Sequence, residues 1–364
     1  MFEVLFPAGK TLKPWQFASA MKHLQSSISA GGLRAETGNA HSTLYPITLS
    51  REALRPGAVY VDPFSHVSMV AGWERAGDGY RLILADSQST ALVSIHRYVE
   101  GRLVYRAKPR ASGFRWYRPL VQDDKTKKWS PATDEQLEKE QENPMRQDRT
   151  EASRSAGSFR EKIEAMQDPK PRDAIAAFRD LHEAAHQELV NRVRFVQEGF
   201  EARQKTGTDV HLPQTPRSLF HAVGAWETHA TPCKDLKLLG LLRTIDDFPA
   251  AVASSPARYS GGSARLFGED LASQLAEAGQ RWGAEYRVRY RRSDGSLIYL
   301  SLSAVMSRRS ALEAAYNPND CPEIRWGAPP GGAEASTCAQ KVKDADRKQM
   351  QTYRKWFRAG YGCE

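Results

Sequence analysis

The sequence predicts an α+β protein: a small antiparallel sheet domain followed by a mainly helical domain that carries one β-hairpin. Three observations lead there. Between residues 58 and 121, five short apolar-rich segments are separated by turn chemistry. Residues 173–205 carry one apolar stripe at helical spacing, and residues 285–304 alternate around an Asp-Gly pair. The chain of 364 residues has room for two domains or three, at about 100–200 residues each. A hydrophobic share of 40% with eight tryptophans excludes wholesale disorder. No window approaches the ~18 uninterrupted apolar residues of a membrane span. The opening MFEVLFPAGKTLKPWQF shows no basic region followed by a long apolar run, so no signal peptide is read there.

Taken in order, residues 13–29 read as a helix, with Phe17, Met21 and Leu24 at helical spacing and Gly31-Gly32 as the stop. A polar stretch follows, then a short turn or helix at 50–54 closed by Pro56-Gly57. The expected strands are Ala58–Val61, His66–Trp73, Arg81–Asp86, Leu92–Val99 and Phe114–Val121, broken at Asp62-Pro63 and at Gly77-Asp78-Gly79. Domain 1–121 ends there. Residues 122–157 are charged and poor in apolar side chains, and read as a solvated linker. Domain 158–364 opens with a short helix at 158–167, separated by Asp168-Pro169 and Pro171 from a long one at 173–205. In the long helix Ile175, Phe178, His182, Ala185, Leu189, Val193, Val196 and Phe200 form the stripe, which needs partner helices from 215–282. In the hairpin at 285–304, Asp294-Gly295 supplies the positive φ angles of a tight turn, and Arg287, Arg289 and Arg291 share one face. The last helix, about 340–358, places Met350, Tyr353, Trp356 and Phe357 on its buried side.

The formal charge of +9 is uneven. Residues 1–121 hold 15 Lys/Arg against 8 Asp/Glu, a balance of +7. Residues 122–205 stand at −2 and residues 206–364 at +4. A basic first third favours an anionic partner such as a cell-wall polymer or anionic lipid. Nucleic acid is disfavoured because no recognisable binding module occurs. All four cysteines lie late, at 233, 321, 338 and 363, and none forms a CxxC pair. Their loop-like surroundings fit two disulfides in an oxidising compartment, in any of three pairings, with four independent thiols as the alternative. Cys363 would staple the last helix.

The string Leu54-Arg55-Pro56-Gly57-Ala58-Val59-Tyr60-Val61-Asp62, then Ser65-His66-Val67-Ser68-Met69-Val70-Ala71, resembles the papain-like cell-wall amidases of the NlpC and CHAP type. Those proteins show "L-x-P-G-D" and a strand, then "HV" opening the next strand. The resemblance covers residues 52–121, about a fifth of the chain. It implies a papain-like sheet, His66 as general base for a cysteine nucleophile, and Asp86 or Gln88 as the group that orients the imidazole. A cysteine is mostly protonated near neutrality. An imidazole held by a third group takes its proton or stabilises the thiolate. The family places that cysteine at a helix start before this region, but no cysteine precedes His66, and Ala58 stands where the acid follows Pro-Gly. Ser19, Ser26, Ser27 and Ser29 lie on or near the first helix without a feature marking a nucleophile. The expectation is an exported bacterial protein of this type, periplasmic or extracellular. Either it no longer catalyses or its catalytic N-terminal part is absent from the chain.

A second string, His182-Glu183-Ala184-Ala185-His186, matches H-E-x-x-H. At i and i+4 on a helix both imidazoles reach one zinc ion and the glutamate activates its water. Glu198 or Glu201 could supply a third ligand, although nothing in the sequence singles either out. A zinc metallopeptidase is therefore the rival enzymatic reading, although Arg179-Asp180 and Gln187-Glu188 flank the motif where zincins are apolar. Otherwise no cofactor is expected. The third reading is a non-enzymatic envelope-binding or scaffold protein. Tyr316-Asn317-Pro318-Asn319-Asp320 reads as a turn, lacking the glycine and glutamate of a calcium loop.

Overall fold

A computed structural model describes residues 13–19, 43–61, 67–87, 93–100, 102–103, 105, 112–139, 147–148, 154–168, 171–220, 224–260 and 269–359. The protein is α+β. Strands β1 (Leu44–Pro46), β2 (Val59–Val61), β3 (Val67–Ala76), β4 (Gly79–Ser87), β5 (Val93–Arg97) and β6 (Gly113–Tyr117) form one six-stranded sheet in the order β1-β6-β2-β3-β4-β5. Every neighbouring pair is antiparallel. Alternation drives this: Tyr60, Val70, Leu82, Leu84 and Phe114 turn to one face and are buried there. In β3 the register slips between Val70 and Gly72, so that Trp73 rather than Gly72 follows Val70 onto the buried face. Trp73 Nε1 then donates to Leu54 O at 2.7 Å.

Segments on both sides of residue 121 complete the core over that face. Strands β7 (Leu120–Gln122) and β8 (Trp129–Pro131) pair with each other. They lead to helix α1 (Asp134–Lys139), whose Leu137 is buried with the sheet's core residues. Helix α2 (Ala156–Gln167) brings Phe159 and Ile163 into the same cluster, and Phe159 stacks on Tyr105 at 4.3 Å between centroids. Within 122–157, which its composition marks as a solvated linker, Ala132 and Leu137 therefore belong to this core. The end of α2 lies against the start of β4. Leu82 N donates to Gln167 Oε1 at 3.1 Å, and Arg81 pairs with Asp168 at 3.1 Å and Asp180 at 3.3 Å. The approach is so close that a Cβ on Gly79 would stand 2.1 Å from Asp168 Oδ1 and 2.7 Å from Gln167 O.

Helix α3 (Ala174–Thr206) runs 33 residues. Asp173 caps its start by accepting from Ala176 N at 3.0 Å, and Gly207 closes it in the left-handed conformation at φ 64°. Its buried face, including Phe178, Leu181, Ala185, Leu189, Val196 and Phe200, packs on helices α4 (Pro232–Ser254) and α5 (Glu269–Glu285). Strands β9 (Arg287–Arg291) and β10 (Leu297–Ser301) form the expected hairpin. Its turn differs from the expected one: only Gly295, at φ 86°, takes a positive angle, and Asp294 does not. Arg292 N donates to Ser296 O, and Asp294 Oδ1 instead accepts from Ser296 N at 2.9 Å. A three-residue loop with one left-handed glycine satisfies the strand twist without forcing aspartate into that region. Helix α6 (Asp344–Arg358) buries Met350, Tyr353 and Phe357, with Trp356 partly buried beside them.

Cys321 and Cys338 form a disulfide, with Cα atoms 5.7 Å apart. Cys233 is half-buried and its Sγ donates to Phe220 O; Cys363 lies outside the described residues. Among the described residues no helix is long and apolar enough to cross a membrane.

Candidate functional site

Of the three residues expected to form a papain-like site, the structure describes one. His66 and Gln88 lie outside the described residues, and Asp86 is half-buried near the end of β4. Register places Asp86 opposite Ser68 of β3 on one side and opposite Ser94 of β5 on the other. A polar row, Ser68–Asp86–Ser94, therefore crosses three strands. Asp86 shares its strand face with Leu82 and Leu84, four and two residues earlier. The next row, Met69–Ala85–Ile95, points to the opposite face, where Met69 and Ile95 are exposed together with Val93. No described cysteine belongs to this sheet: Cys321 and Cys338 bond each other, and Cys233 lies on α4. Of the serines considered as nucleophiles, Ser19 is exposed and Ser26, Ser27 and Ser29 lie outside the described residues.

The H-E-x-x-H string lies on α3 with its side chains given to other partners. His182 is 1% exposed; its Nδ1 lies 2.8 Å from Phe178 O and its ring packs against Phe178 and Trp282. Glu183 is exposed and pairs with Arg179 at 3.7 Å. His186 places Nε2 2.9 Å from Arg287 O, which fastens the hairpin to the helix, and its ring lies 5.2 Å from that of Tyr286. Burial, helped by Glu183, pushes the Tyr286 hydroxyl up to about 12. Glu198 pairs with Arg194, and Glu201 accepts from Gln197. No group of three His, Cys, Asp or Glu side chains able to hold a metal occurs among the described residues.

Burial holds the His182 imidazole below its ordinary value of 6.5, against a smaller opposing effect of the Phe178 carbonyl. In the unfolded chain the ring takes its proton near the ordinary value, so the neutral buried ring contributes stability above about pH 6.5 that is lost as pH falls below it. The stability advantage of the wild type over His182→Gln, measured by urea unfolding, is therefore expected to shrink from pH 7.5 to pH 5. Comparing the two proteins at each pH cancels the opposite contributions of Glu164, Asp180 and Asp320, whose carboxyls burial pushes up. An advantage that stays constant across that range would contradict the assignment.

A buried polar assembly in the helical region escaped the sequence reading. Arg192 of α3 makes a paired contact with Asp235 of α4, Nε at 2.8 Å and Nη2 at 3.0 Å, both side chains being almost fully buried. Arg325, completely buried, donates to Val196 O, His229 O and Thr231 Oγ1. Burial pushes its pKa down, and the neighbouring Arg192 adds to that. The segment Tyr316–Asp320, expected as a turn, is buried throughout. Asn319 closes both backbone groups of Val210 at 2.8 Å, and Asp320 accepts from Val342 N and pairs with Arg347. The only hint in the sequence is the density of Asn, Asp and Arg beside Cys321 and Trp326.

On the hairpin, Arg287, Arg289 and Arg291 are exposed on one face, with Tyr299 across from Arg289 and 65% exposed. No protein-family model, curated protein or solved structure matches this chain.

Proposed function

We propose that the chain is an exported cell-envelope protein that binds peptidoglycan through its sheet and does not itself perform the cysteine chemistry of the amidases it resembles. The observation that carries this reading is the run of antiparallel strands β2-β3-β4 after Pro56-Gly57, with Asp86 directly opposite Ser68, two positions along the chain from His66. That is the strand on which the resemblance puts the residue that orients the base. The absence of any cysteine before residue 233 supports the non-catalytic half of the reading. The Cys321–Cys338 disulfide is compatible with an oxidising compartment. The +7 balance of residues 1–121 favours an anionic wall polymer.

Retention of the full chain on insoluble peptidoglycan tests it. Binding is expected at low ionic strength and is expected to fade as the Debye length contracts from about 30 Å at 0.01 M salt to about 8 Å at 0.15 M. Binding without release of new amino groups from the wall peptides supports the reading. No retention at low salt sinks the binding half, and amine release above a buffer control sinks the non-catalytic half.

A further inference from the structure

The β9-β10 hairpin turns one face into the core and the other to solvent. Val288, Tyr290 and Leu300 are buried in the helical region, with Ile298 packed against them. His186 Nε2, 2.9 Å from Arg287 O, fixes the ribbon to α3. On the outer face Arg287 stands opposite Ser301, Arg289 opposite Tyr299 and Arg291 opposite Leu297. The three arginines, Leu297 and Tyr299 are all exposed. No carboxylate occupies a position on this face, and none of the three arginines forms an ion pair among the described residues. Arg287 Nε donates to Ala284 O at 2.8 Å and Arg291 Nη1 to Gly295 O at 3.0 Å, which takes one of the several N–H donors of each guanidinium. Asp294, in the turn, is engaged by Ser296 and Arg292.

We propose that this face binds single-stranded nucleic acid, with phosphates on the arginine row and a base stacked on Tyr299. The row is linear: successive residues on one strand face stand about 7 Å apart, so the three cations follow a single path. Beside it, one inter-strand spacing of about 5 Å away, runs a second strip made of Leu297 and Tyr299. A partner that fits both strips carries charge along one edge and flat apolar groups along the other, which is the build of a single nucleic-acid strand. Guanidinium forks pair with phosphate oxygens and also stack on ring faces, so arginine serves both strips. A lipid surface, charged evenly in two dimensions, has no counterpart to this division, and a duplex keeps its base faces inside the stack. The sequence expectation against nucleic acid rests on the lack of a known module. A hairpin face is not such a module, and its outward orientation becomes visible only once the other face is seen to be buried. The hairpin shares no residue with the six-stranded sheet, so this binding is independent of peptidoglycan binding there.

The test is fluorescence anisotropy of a labelled oligothymidylate of about ten nucleotides, within the range of single-strand sites, titrated with the full chain at several salt concentrations. Saturable binding is expected at low salt. Tyr299→Thr, which keeps a strand-favouring side chain, is expected to weaken it at least about fivefold, the lower end for one stacked base. Arg289→Gln is expected to weaken it as well, and to make the slope of log K against log salt shallower by about 0.7, one phosphate contact fewer. Both side chains are exposed, so both variants are expected to keep the fold by circular dichroism. An abasic oligonucleotide of the same length is expected to bind at least about fivefold more weakly than oligothymidylate. Three results would overturn the proposal. They are no binding at low salt, wild-type affinity in either folded variant, which would place binding elsewhere on the basic chain, and equal affinity for the abasic strand, which would make the face a general polyanion surface.

Discussion

Replacing Asp235 with alanine is expected to destabilise the protein by about 3–5 kcal/mol, the cost of leaving a buried ion pair without one partner. The geometry puts Asp235 at the upper end. Its carboxylate takes two bonds from Arg192 and one from Thr231 Oγ1 at 3.0 Å. Arg192 also stands over the Trp326 ring at 4.8 Å, so it is enclosed on its flat face as well. Without Asp235, two guanidinium groups, Arg192 and Arg325, face each other's charge in a region that water does not reach. Replacing both members of the pair by apolar residues of similar size, as in Arg192→Met with Asp235→Leu, removes the unpaired charge and is expected to recover part of the loss. Urea unfolding of both variants checks this. A loss under about 1 kcal/mol for Asp235→Ala would place the pair among weakly contributing surface bridges.

Removing the disulfide is expected to cost about 3 kcal/mol through the freedom that the unfolded chain regains when a loop of this length opens. The bridge spans a sequence separation of 17. The segment it closes carries much of the buried polar assembly. Glu323 accepts from Ser293 N and Oγ and from Thr337 Oγ1, Arg325 reaches α3, and Glu334 pairs with Arg308 at 2.8 Å and with Tyr290 OH. Cys321→Ser with Cys338→Ser is therefore expected to lower the unfolding midpoint and to speed amide exchange first between residues 317 and 338. Equal midpoints for the oxidised wild type and the double variant would show that the loop holds its place without the bond.

The sheet and the long helix were legible in the sequence because each rests on periodicity. Alternation bounded by Asp62-Pro63 and Gly77-Asp78-Gly79 gave β2, β3 and β4, and the stripe from Phe178 to Phe200 gave α3 with its buried face. The slip after Val70 was not legible, since one extra residue leaves the local alternation intact while exchanging the faces beyond it. The packing of Leu137 was hidden in a highly charged stretch, where one leucine in six residues does not announce a core contact. Chemistry was harder to read than fold. The H-E-x-x-H string has the right spacing for a metal pair, but spacing says nothing of partners, and here Phe178 O, Arg179 and Arg287 O take up the three side chains. Arg192, Asp235 and Arg325 were invisible for the opposite reason. Charged residues are expected outside, and partners such as Arg192 and Asp235 come from distant parts of the sequence.

The most direct test of peptidoglycan binding through the sheet is hydrogen exchange of the full chain with and without a soluble muropeptide at saturating concentration. Slowed exchange is expected centred on β3, β4 and β5, between Val67 and Arg97, where the row Ser68–Asp86–Ser94 crosses the sheet. Exchange that is unchanged throughout the chain, or slowed only in α3 to α6, would contradict it.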